Sequence, residues 1–220
     1  MTNGEKVTAG RIRHSGFVID SSFVIRHSSF SSRSAFTLIE LIVVTTVIII
    51  LTGLVLSTVG YVQKKGARAR AETEIAAMSA ACESYKADNG VYPNSTDTNN
   101  LDARTSGNPI SPSYAQASLW LYKQLSGDSS ANRSPTAKSY MEFKPKMLFP
   151  VDQTQNVQYI QDPFGNSYGY STAFQHDIDL GVPPTHGYNP TFDLWSTASL
   201  TTNPPGTPPD TVTPQWIKNW

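Results

Sequence analysis

Residues 41–63 read LIVVTTVIIILTGLVLSTVGYVQ, 23 positions without one charged side chain. At about 1.5 Å per residue this run makes roughly 34 Å of helix, against about 30 Å of bilayer hydrocarbon. Every proline lies at Pro93 or later, so nothing in the earlier sequence interrupts a helix. Beyond the run the pattern turns amphipathic. Ile75, Met78, Cys82 and Tyr85 recur every three or four positions, while Glu72, Glu74, Glu83, Lys86 and Asp88 fall largely off that stripe. Asn89-Gly90, with Pro93 just beyond, is a stop signal. The spacing therefore predicts one helix over 37–89. Gly53, Gly60 and Gly66 are its weak points, each costing about 1 kcal/mol relative to alanine.

The remainder is patterned more weakly. Residues 94–118 are rich in Ser, Thr, Asn and Pro and read as a surface loop. ASLWLYKQL at 117–125 predicts a short helix closed by Gly127, laying Leu119, Trp120, Tyr122 and Leu125 partly against the long one. Strands are predicted at 157–160, 167–172 and 191–196, with a turn at 162–166 where Pro163 fixes φ and Gly165 can take positive φ. Three such strands carry too few apolar residues for a core of their own. They need the helix face bearing Ile75, Met78 and Tyr85. The expected fold class is α+β: a long N-terminal helix packed on a small antiparallel sheet. Cys82, on the inner stripe, reads as a packed small hydrophobe.

Composition narrows the function classes. Lys+Arg and Asp+Glu number 17 each, so no bulk charge points to nucleic acid. The single cysteine excludes an intrachain disulfide and a zinc site built from several thiolates. The leader, residues 1–35, is basic: Lys6, Arg11, Arg13, Arg26 and Arg33 stand against Glu5 and Asp20. It is also a Ser-rich quasi-repeat in which His14 and His27 lack further ligands. A basic leader argues for a cytoplasmic N-terminus, although Lys64, Lys65, Arg68 and Arg70 behind the apolar run weaken that rule. No HExxH, GxSxG or phosphate-cradling glycine loop occurs. His176, Asp177, Asp179 and His186 are read as solvated loop residues. No enzyme is expected.

The junction ahead of the run carries the functional signal. A lone carboxylate, Glu40, stands at its threshold, where entering lipid unpaired costs a few kcal/mol. The string AFTLIELIVV, residues 35–44, resembles the prepilin processing signal of type IV pilins and type II secretion pseudopilins. That resemblance implies cleavage between Ala35 and Phe36 by a prepilin peptidase and N-methylation of Phe36. It implies that Glu40 meets the terminal amine of a neighbouring subunit and sets filament register, since only pairing offsets burial of two opposite charges. Ala35 departs from the family's preferred glycine. An ordinary secretory signal fits less well, because its apolar region is shorter and precedes the small residues.

The resemblance recurs later. YKADNGVYP at 85–93, DPFGNSYGY at 162–170, FDLWS at 192–196 and WIKNW at 216–220 are similar to segments of the major pseudopilin. It implies a cleaved leader over 1–35, a transmembrane segment over 36–63, its amphipathic continuation over 64–90 and an extracytoplasmic αβ region over 91–220. The implied location is the inner membrane, single-pass, with the C-terminal domain periplasmic. The implied function is that of a structural subunit of a type II secretion pseudopilus, a periplasmic filament driving protein export. The implied partners are copies of itself, other pseudopilins, the prepilin peptidase, an inner-membrane assembly platform and membrane lipid. A type IV pilus subunit and an uncleaved signal-anchored domain remain as alternatives. No cofactor is expected. Calcium, which the family binds in the loop after the FDLWS-like strand, is disfavoured: only Asp193 and Asp210 are nearby, and calcium takes six to eight oxygen ligands.

Overall fold

The computed structural model describes residues 36–198 and 213–220. Two compact units divide the chain, Met1–Ile49 and Ile50–Trp220. Helix α1 spans Leu38–Asn89, one residue short of the predicted start. Its end is closed by Gly90 at φ 79°, whose N–H reaches the Lys86 carbonyl at 2.8 Å, and by the Asn89 amide on the Tyr85 carbonyl at 2.9 Å. An L-side chain resists that left-handed conformation, so glycine at this place stops the helix.

The two halves of α1 differ sharply. From Leu38 through Val62 its large apolar side chains are exposed, and the helix is long and apolar enough to cross a membrane. Thr45, Thr46, Ser57 and Thr58 return their hydroxyls to carbonyls three or four residues back, so these polar groups need no water. In the later half Ala71, Glu74, Ile75, Met78, Ala81 and Cys82 are buried. Their spacing of three and four makes one stripe, as predicted, with Tyr85 packed at its border. Burying Ile75 and Met78 stabilises by about 1.5–3 kcal/mol each. Cys82 is fully enclosed, and burial pushes its thiol well above the usual range.

Two small antiparallel sheets meet that stripe. β1 (Leu148–Phe149) pairs with β2 (Tyr159–Ile160). β3 (Gly169–Ser171), β4 (Asp193–Ser196) and β5 (Ile217–Lys218) form the second, in the order β3-β4-β5. The three strands predicted as one sheet are thus shared between two. The predicted turn at 162–166 is present, with a bridge between Gln161 and Ser167, but the arms of this hairpin part beyond it. One arm continues into β3, where Gly169 lies opposite Trp195 of β4.

The segment predicted as loop over 94–118 is largely ordered. Helix α2 (Thr96–Asn100) opens on a reciprocal capping box: the Ser95 N–H donates to Thr98 Oγ1 at 2.8 Å and the Thr98 N–H to Ser95 Oγ at 3.3 Å. Helix α3 (Pro112–Ser126) begins five residues earlier than predicted, with proline in its first turn. It buries Tyr114, Ala117, Leu121, Tyr122 and Leu125, while Leu119 and Trp120 are half-buried. Ser118 Oγ accepts the Ile160 N–H at 2.9 Å and ties α3 to β2. Helix α4 (Ala173–Asp179) follows β3 directly.

A second apolar cluster gathers Leu101, Ala103, Tyr114, Ala117, Trp195 and Trp216, with Tyr188 and Trp220 at its edge. Trp195 is its centre. Its ring meets Tyr114 edge-on at 5.6 Å, stacks at 6.1 Å with Trp216 and meets Trp220 edge-on at 5.9 Å. Its indole N–H donates to the Tyr114 hydroxyl at 3.0 Å.

Candidate functional site: the first turn of the long helix

Of the residues singled out for processing and assembly, Ala35 lies outside the described residues, as do the rest of the leader and Asp210. Phe36 is 83% exposed. Thr37 stands at the N-cap of α1 and Glu40 three places on, the positions of a capping box. The Glu40 N–H donates to Thr37 Oγ1 at 3.2 Å. In return Glu40 Oε2 accepts both the Thr37 N–H at 2.8 Å and the Thr37 hydroxyl at 2.9 Å. Two N–H groups that a helix start leaves without partners are thereby satisfied from within the chain. A carboxylate here also meets the positive end of the helix dipole. Both bonds fall on Oε2, and Oε1 accepts none among the described residues. The site therefore holds a carboxylate at the helix threshold, with one oxygen engaged and the other accepting no hydrogen bond among the described residues.

Elsewhere the buried acids organise loops. Asp177, read from sequence as solvated, is buried. Its Oδ2 accepts the Thr185 N–H at 2.8 Å and the His186 N–H at 3.2 Å, and it lies 2.9 Å from His186 Nδ1. Burial pushes Asp177 up, but these donors outweigh it and hold it below the usual carboxylate range. The same His186 nitrogen faces Thr185 Oγ1 at 3.4 Å, so the group folds the 180–187 loop onto α4. The turn between Asp177 and His186 passes through Gly181 at φ 72°, a left-handed conformation that glycine adopts readily.

Asp162 and Asp193 act alike. Asp162 Oδ1 accepts the N–H groups of Phe164 and Asn166, at 2.9 and 2.8 Å, and Oδ2 accepts the Ser196 hydroxyl. Asp193 accepts the N–H groups of Tyr188 and Asn189, both at 2.8 Å, one on each oxygen. Each oxygen of Asp193, one of the two acids near the expected calcium loop, thus binds a backbone N–H of its own loop. Among the described residues no three acid, cysteine or histidine side chains gather as a metal would need. Burial is the largest influence on each carboxyl and pushes both up to about 6.

That shift has a sign. An unfolded aspartate ionises near 3.9, so between about pH 4 and 6 the folded chain holds protons that the unfolded chain has lost. Stability then falls as pH rises through 6. Each carboxyl contributes about 1 kcal/mol more at pH 5 than at pH 7.5. Melting curves on the detergent-solubilised chain are expected to shift upward at pH 5, and Asp162→Asn should flatten part of the difference. A melting temperature that only rises from pH 5 to 7.5 would mean the hydrogen bonds keep both carboxyls ionised.

No protein-family model matches this chain, and neither a curated protein nor a solved structure does.

Proposed function

We propose that this chain is a pilin-like structural subunit, anchored in the inner membrane by the first half of α1 and assembled into a periplasmic filament of the type II secretion pseudopilus class. One observation carries the reading. The string FTLIEL at 36–41, with its carboxylate at the helix threshold, directly precedes an uncharged run long enough to span a bilayer. Cleavage before Phe36 leaves a new amine one residue ahead of the Thr37–Glu40 pair. Oε1 of Glu40 is then the oxygen left to receive the amine of a neighbouring copy. The exposed side chains of residues 38–62, which lipid solvates before assembly, find an equally apolar environment among identical helices. The pilin fold itself is part of the proposal. It is supported by one long helix whose second half packs on small antiparallel sheets.

Intact-mass and N-terminal peptide mass spectrometry on the membrane-extracted chain, expressed with a prepilin peptidase, tests this. The expected terminus is N-methyl-Phe36. A chain still carrying the leader despite active peptidase would make it a signal-anchored protein of another function. A type IV pilus subunit shares the expected terminus. It is separated by asking whether filament formation depends on secretion or on retraction machinery.

A further inference from the structure

The four cations that follow the apolar run are not equivalent. The Arg68 guanidinium is held by Glu72 at 3.1 Å and by the Gln215 carbonyl at 3.0 Å. Arg70 is held by Glu74 at 2.7 Å. Lys64 and Lys65 are exposed and have no acidic partner among the described residues. Tyr61, Lys64, Lys65 and Arg68 stand at positions i, i+3, i+4 and i+7 and so share one face of α1. The Lys65 ammonium sits 4.9 Å from the centre of the Tyr61 ring. Tyrosine favours the boundary between hydrocarbon and water, where its ring is buried and its hydroxyl wet. Charge and aromatic thus mark one level on the helix, and that level is where the uncharged run ends.

We propose that Lys64 and Lys65 form a docking site for the phosphate headgroups of anionic phospholipid, on the side of the bilayer that carries the folded region. The inference rests on the membrane-spanning part of the reading above. With the run near 34 Å and the hydrocarbon near 30 Å, these lysines emerge at headgroup depth. Arg68 and Arg70 are already neutralised within the chain, so the unmatched positive charge is confined to the lysine pair. A lysine ammonium is a compact donor suited to a phosphate as a point charge. Negative lipid complements it, and zwitterionic lipid does so far less well. The site sets how deeply the helix sits, because sinking would bury two ammonium groups and rising would expose apolar side chains.

The test uses the full chain reconstituted in phosphatidylcholine bilayers with a trace of spin-labelled phosphatidylglycerol or spin-labelled phosphatidylcholine. Electron paramagnetic resonance reads the motionally restricted fraction of each. The wild-type chain is expected to restrict the anionic label about five- to tenfold more than the zwitterionic one. The preference should shrink in high salt. Lys64→Gln with Lys65→Gln should bring the ratio close to one, while Arg70→Gln should leave it nearly unchanged. Equal restriction of both labels by the wild type, or a preference that survives in the double variant, overturns the site. If the double variant keeps its lipid preference but loses self-association, the lysines serve acidic groups of a second copy, and the proposal is again overturned. A chain that restricts neither label is not in the bilayer at all, and the membrane-spanning reading fails together with the site.

Discussion

Gly169→Ala is expected to cost about 3 kcal/mol, the upper end of what overpacking usually costs and a large share of an ordinary domain's stability. A Cβ at this position would stand 2.2 Å from Cε2 and 2.4 Å from Cζ2 of Trp195, its partner across the β3–β4 ladder. Contacts that short cannot exist, so something must move. The indole has nowhere to go: Tyr114, Trp216 and Trp220 enclose it and its N–H is bonded. Displacing it would also leave the Tyr114 hydroxyl without its donor. Urea unfolding followed by tryptophan fluorescence measures the loss. Trp195→Phe provides the control, since the smaller ring makes room for the methyl group. The double variant should then lose less than the two single losses added together. Simple additivity would mean that β3 shifts away from β4 and that the close approach is not what demands glycine.

Glu40→Ala is expected to abolish filament assembly while membrane insertion persists. Within one chain the substitution removes an N-terminal capping box, worth about 1 kcal/mol to a helix far longer than it needs to be. Insertion should even become easier, because a carboxylate entering lipid alone is unfavourable by a few kcal/mol. Between chains the loss is of another order. A buried amine left without its carboxylate is an uncompensated charge, and breaking such a pair by removing one partner costs about 3–5 kcal/mol per contact. In the proposed filament that contact would repeat at every subunit. Thr37→Val separates the two roles. It removes the hydroxyl that binds Oε2 but keeps the carboxylate, and should weaken assembly only modestly. Negative-stain microscopy with membrane fractionation reads both variants. Normal filaments from Glu40→Ala would leave Glu40 with its helix-capping role alone.

Legibility of the fold tracked the length of each pattern. The helix over 38–89 was legible because its apolar run, its inner stripe and its Asn-Gly end each mark it separately. The turn at 162–166 was legible because Pro163 and Gly165 constrain φ directly. β1 and β5 were not, since two residues cannot show alternation. α2 and the first turn of α3 hid in a polar stretch because five residues leave no room for an apolar stripe. Their starts nevertheless carried a readable signal, Ser95 three places before Thr98 and Pro112 just after Ser111. The same signal stood at the candidate site. Thr37-Leu38-Ile39-Glu40 is the capping-box spacing, legible in the chain itself beside the resemblance that points to Glu40 as a contact between chains. The burial of Asp177 and Asp162 was illegible for a different reason. Their partners are backbone N–H groups, which every sequence supplies and none advertises.

The links between α1 and its surroundings within the second unit have a mechanical meaning. Arg68 to the Gln215 carbonyl, Glu74 to the Tyr168 hydroxyl and Tyr85 to Gln124 are staggered over roughly 25 Å of helix axis. A pull directed along α1 strains all three together and slides the buried stripe past its sheet in shear. A pull directed across the helix opens them one after another, like a zip. Held at its apolar end and drawn lengthwise, this region is therefore stiff, whereas the same force applied sideways would peel it apart.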